Sequence, residues 1–237
     1  MSRLVRVELR KMADTRAGMW LLIGIAGLAA IVMGIFMATA DSADRTFVRL
    51  VGVAVVPQSA LVPVLGILLV TSEWTQRTAL VTLTLEPVRR RVVAAKVAAA
   101  LVFGLAAVFV TLLIAAAVTA VGGNEVAWSD AGAGTIANLT LVQESMILQG
   151  LAFGLVILNS AGAIATFFVL PTAVGLITML WDAIEDLAPW INFDSGALLE
   201  GRTLRAEEWA QFGVTSLIWI ALPLGAGLVR VLRKEVK

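Results

Sequence analysis

The chain has 237 residues, of which 59% are apolar and 15% charged, and its formal net charge is +1. Soluble domains run at roughly 45–50% apolar and about 25% charged, so a mean hydropathy of +0.93 excludes both a soluble globule and a disordered chain. Cysteine, histidine and tyrosine are absent. That removes disulfides, thiolate nucleophiles, histidine general bases and histidine-held metals, and no catalytic or metal-binding residue is expected.

Residues 1–16 form an interfacial helix by pattern. Arg3, Arg6 and Arg10 recur at spacings of three and four, while Val5, Leu9 and Met12 share another face. A basic helix of this kind, with Lys11 adding to its charge, lies on an anionic membrane surface. The plainer reading is that these charges only set topology.

A membrane span needs about 20 mostly apolar residues. Ala17–Ala40 and Leu50–Ser72 are uncharged, and a third such run starts at Val97. Ser145–Trp181 is uncharged over 37 residues, or about 55 Å of helix, too long for one span. Asn159-Ser160-Ala161-Gly162 divides it. Phe212–Val229 is the last run. The expectation is an all-α polytopic membrane protein, a single domain over 1–237, with six spans at about 17–40, 50–72, 97–122, 138–158, 162–181 and 212–232.

Charge fixes the orientation. Residues 1–16, the segment 73–96 and the C-terminal tail from Arg230 to Lys237 hold 14 of the 18 basic residues. The alternate loops hold only Arg45, Arg49, Arg202 and Arg205, with 11 of the 17 acids. By the positive-inside rule both termini are cytoplasmic, as an even number of spans requires. Trp20, Trp74, Trp128, Trp181 and Trp209 fall near span ends, where interfacial belts lie. Trp181, Ile184 and Leu187 are spaced as one face of a short helix on the outer surface.

The segment 73–96 is longer than two adjacent helices need. Pro87 breaks it and biases Glu86 away from helix. Its apolar positions Leu80, Leu83 and Val88 are not needed for topology; a docking element would need them.

Ser72-Glu73-Trp74 at the end of the second span, Thr78 five residues after the glutamate, Pro87, one of Arg89 to Arg91, and Lys96 stand in an order that resembles the ABC-2 type permease family. Glu8, Lys11 and Arg16 at the N-terminus are similar to the start of such permeases. The resemblance covers the whole chain in topology and its first hundred residues in motif. It implies the transmembrane subunit of an ATP-driven exporter in the plasma membrane of a bacterial cell, paired with a second copy or a similar permease. A separate ABC ATPase would dock on the loop that contains Glu73, Arg77, Thr78, Pro87, Arg89, Arg90, Arg91 and Lys96. The chain has no Gly-x-x-x-x-Gly-Lys-Ser/Thr phosphate loop, so ATP and magnesium would be bound by the partner, and this chain would be no enzyme and hold no cofactor. Membrane lipids are expected partners and nucleic acid is not.

Inside the spans, Glu144 and Gln149 are the candidates for a pathway or for interhelical contacts. Mostly aliphatic spans favour an amphipathic or apolar cargo, such as a drug, an antimicrobial peptide or a lipid-like compound. Two alternatives stay open: a proton-coupled carrier that uses Glu144, and a membrane scaffold or sensor that transports nothing.

Overall fold

The computed structural model describes residues 1–122, 127–128, 131–193 and 204–234; Arg202 and Lys237, counted above, lie outside them. The described elements are helical: α1 (Ser2–Asp14), α2 (Arg16–Thr39), α3 (Phe47–Thr75), α4 (Ala79–Leu85), α5 (Arg89–Gly122), α6 (Ala133–Ile157), α7 (Ser160–Leu180), α8 (Ala188–Ile191), α9 (Ala206–Ser216) and α10 (Leu222–Arg233). A π turn over Leu217–Ala221 joins α9 to α10 without a break. Six helices are long and apolar enough to cross a membrane: α2, α3, α5, α6, α7 and the continuous Ala206–Arg233.

Local chemistry sets the boundaries. Thr15 caps α2 by accepting a hydrogen bond from the Gly18 N–H at 3.2 Å. Only glycine fits at position 18, where a β-carbon would lie 1.9 Å from the Met12 carbonyl oxygen. The reversal expected near 159–162 sits at Leu158, in the left-handed conformation, and at Asn159, whose side chain caps α7 by accepting from the Gly162 N–H.

The helices outrun the uncharged windows. α3 begins three residues earlier than the expected 50 and continues to Thr75; α5 begins at Arg89, not 97. The connection between the second and third spans is therefore 76–88 rather than 73–96. Glu73 and Lys96 can ride on spanning helices because each is neutralised there, as shown below. At ~1.5 Å per residue, the 34 residues of α5 make about 51 Å, well beyond the ~30 Å hydrocarbon layer.

α3 and α6 form the centre. Of their most apolar stretches 56% and 67% are buried, against 17% for α2, α7 and Ala206–Arg233. α2 packs on α3 and α5, α5 on α3 and α6, α7 on α3 and α6, and α10 on α6. Glycines let the central pair approach closely: a β-carbon at Gly150 would lie 2.0 Å from the Pro63 carbonyl oxygen, and one at Gly66 2.2 Å from that of Ile147. The Gly150–Gly154 pair thus packs α6 on α3 within one chain. The outward faces stay apolar, with Ile31, Ile35, Phe109, Val169 and Met179 exposed, which suits lipid.

Candidate functional site

Four charged side chains meet where α1, α3 and α5 converge at the basic end. Glu8 and Lys11 lie three apart on α1, and so on one face. Glu73 stands in the last turn of α3, and Lys96 two turns into α5. The Lys11 ammonium lies 2.9 Å from Glu8 Oε1 and 2.6 Å from Glu73 Oε1. The Lys96 ammonium lies 2.7 Å from Glu8 Oε2 and 3.2 Å from Glu73 Oε2, and also donates to the Leu69 carbonyl at 2.8 Å. Each lysine touches both carboxylates and each carboxylate touches both lysines, so the four charges close a neutral ring. Glu8, Glu73 and Lys96 are buried, while Lys11 keeps one side toward water.

Electrostatics follow from that geometry. Burial, the largest single influence on Lys11, would lower its pKa; hydrogen bonds to Glu73 and Glu8, with their negative charge, outweigh it and hold the pKa above the usual 10.5. Such a ring is weak evidence for net stability, because desolvation offsets most of the attraction. Its consequence is geometric: removing one member strands the others, so the three helices are held in one arrangement.

α4 is fastened to the same ring. Thr82 donates to Glu73 Oε1 at 3.0 Å and accepts from Lys11 at 3.3 Å. Between α3 and α4 the backbone turns through Arg77 in the left-handed region at φ 58°, and the Thr78 N–H donates to the Glu73 carbonyl at 2.8 Å. Ala79, the first residue of α4, is buried, whereas Leu80, Val81 and Leu85 are exposed, Leu85 at 81%. Glu86 is extended before Pro87, as expected of a residue preceding proline. A cleft of about 1020 Å³ opens beside the ring between α1, α3 and α4, with Leu4, Val7, Leu68 and Val81 among its lining.

The remaining basic residues divide. Arg3, Arg6 and Arg10 are exposed on α1, Arg3 at the lining of that cleft. Lys11, expected with them at the membrane surface, instead turns into the ring because it stands one turn from Glu8. Arg77, Arg90 and Arg91 are exposed, with Arg91 3.9 Å from Glu86. Arg89 caps α10, donating to the carbonyls of Val231 at 2.7 Å and Lys234 at 2.6 Å. Lys234 in turn lies over the Trp74 ring at 4.9 Å. Glu8 and Thr82 were not singled out as site residues; the available signal was a carboxylate on the apolar Val5–Leu9–Met12 face of α1.

Within the membrane, α6 brings Gln143 to Gln58 of α3 through a hydrogen bond donated by Gln143 Nε2, and Gln58 donates to Thr111 Oγ1 of α5 at 2.8 Å. All three are fully buried. Gln149 is buried on α6. Glu144 sits about three turns into α6, deeper than the expected span start at 138 implies, and its carboxyl group rests in the notch left by Gly104 of α5. Among the described residues, no three Asp or Glu side chains gather as a metal site.

No protein-family model matches the chain, and no curated protein matches it. The chain is a six-span membrane protein by its helices.

Proposed function

We propose that the chain is the membrane subunit of an ATP-driven exporter of ABC-2 permease type, energised by a separate ATPase that docks on α4. The observation that carries this reading is a short helix outside the spans that exposes Leu80, Val81 and Leu85 and is tied through Thr82 to a charge ring shared by α1, α3 and α5. A surface helix with no partner does not favour three exposed aliphatic side chains in water. A push on α4 is delivered through the ring to two spanning helices and the interfacial helix at once, which is what coupling requires. The partner supplies ATP and magnesium; this chain supplies the rigid joint. Both termini, α1 and α4 lie in the cytoplasm, on the strength of the basic charge at that end. An amphipathic or apolar cargo fits spans whose interior is nearly free of charge. A proton-driven carrier has Glu144 in its favour, but such carriers relay protons through several ionisable groups.

The test is purification of the tagged chain from its own membranes in mild detergent. Recovery of a stoichiometric ATPase, lost in Leu80→Glu and Leu85→Glu while the chain stays folded, is expected. A folded chain that brings down no ATPase overturns the reading in favour of a carrier or scaffold.

A further inference from the structure

Glu144 lies at the twelfth residue of the 25 in α6, roughly 16 Å of helix from its nearer end at ~1.5 Å per residue. Both of its carboxyl oxygens are covered, and neither has a hydrogen-bond partner among the described residues. The carboxyl group fills the place of a missing side chain: a β-carbon on Gly104 would lie 2.6 Å from Oε1 and 2.8 Å from Oε2. Beside it on α6, Gln143 Oε1 is another buried acceptor without a donor. The Glu144 site thus offers two covered acceptor oxygens and, among the described residues, no donor to them.

Among the described residues no fixed cation is available to complete it. Its own helix carries no other ionisable group. Of the helices packed against α6, α3 has none between Arg49 and Glu73, α5 none between Lys96 and Gly122, α7 none, and Ala206–Arg233 none between Glu208 and Arg230. Arg49 stands at one end of the bundle and is 4.0 Å from Asp44. Glu73 and Lys96 are closed in the ring at the other end, and Arg230 donates to the Val156 carbonyl there. A bare carboxylate in hydrocarbon without donor or cation is among the costliest arrangements a protein can hold. The covered oxygens leave no room for an amine or a hydrated ion. A proton needs no room.

We propose that Glu144 is an intramembrane proton-binding site: its carboxyl group carries a proton while it rests in the Gly104 notch, and exchanges it with water when α5 and α6 part there. On uptake an O–H bond of hydronium breaks and one forms on a carboxylate oxygen, leaving water; on release the carboxyl O–H breaks and the proton returns to water as hydronium. Movement at the α5–α6 seam thereby becomes linked to pH. This rests on the chain alone and stands whether or not an ATPase docks on α4.

Infrared spectroscopy of the full chain in lipid vesicles tests it directly. The wild type is expected to show the carbonyl band of a protonated carboxyl group at neutral pH. That band disappears in Glu144→Gln, moves in Glu144→Asp, shifts in heavy water and fades as the buffer is made alkaline. Gly104→Ala, which pushes the carboxyl group out of its notch, is expected to speed the heavy-water shift about tenfold, the factor a modest overpacking strain gives. Absence of the band from folded wild type at every pH overturns the proposal, as does a band that never exchanges.

Discussion

At the residue scale the ring makes its members unequal in an assayable way. Lys96 is buried and touches Glu8, Glu73 and the Leu69 carbonyl. Lys96→Met leaves two buried carboxylates with one half-exposed cation, and loss of about 3–5 kcal/mol of stability is expected. The neutral double variant Lys96→Met/Glu73→Gln should lose less than the two single changes added together; denaturant unfolding in detergent reads both. Lys11 titrates in the opposite sense to a buried carboxylate. Its pKa is raised in the fold, so its contribution is complete below the unfolded value of 10.5 and lost as pH rises through the folded one. The share of the melting temperature owed to Lys11 should therefore be constant with pH near neutrality and fall away on the alkaline side, and Lys11→Met should flatten that fall. The sequence singles out Lys11, Glu73 and Lys96 one at a time. That they are mutual partners, with Glu8 as the fourth, is a tertiary fact, since they stand 23 to 88 positions apart except for Glu8 and Lys11.

At the element scale, what was legible and what was not has one physical cause. Hydropathy windows find hydrocarbon-length stretches, and all six are helices. Uncharged windows cut the second span at Glu73 and start the third after Lys96, so they shorten α3 and α5, where these two charges are neutralised by partners in other helices. Turn chemistry is local, and the Leu158–Asn159 reversal was accordingly readable. The Gly-x-x-x-Gly pair is visible in sequence, but its partner is not. With the Gly150 β-carbon position 2.0 Å from the Pro63 carbonyl, Gly150→Val should cost about 1–3 kcal/mol or more of overpacking. Gly34→Val, at a glycine with open space around it, should cost much less. Thermal unfolding of the two side by side separates these, and equal melting temperatures would deny the close α3–α6 approach. On α4 the exposed Leu85 makes no comparable packing contribution, so Leu85→Ser should change stability by only about 0.5 kcal/mol.

At the scale of the whole molecule the two ends differ in kind. The basic end gathers α1, α4, the charge ring and the Arg89 cap on α10 into one joined platform. The opposite end carries Phe47, at the start of α3, stacked on Trp128. A machine powered from one side would be built with this asymmetry. Because the chain has no cysteine, a single introduced thiol reports on one place only. Leu85→Cys in native membranes, treated with a thiol-directed cross-linker, is the measurement to make. An adduct with a polypeptide that carries a nucleotide-binding phosphate loop is expected, with none from Trp181→Cys at the opposite end. No such adduct from Leu85→Cys, or equal capture from both positions, would contradict docking of an ATPase on α4.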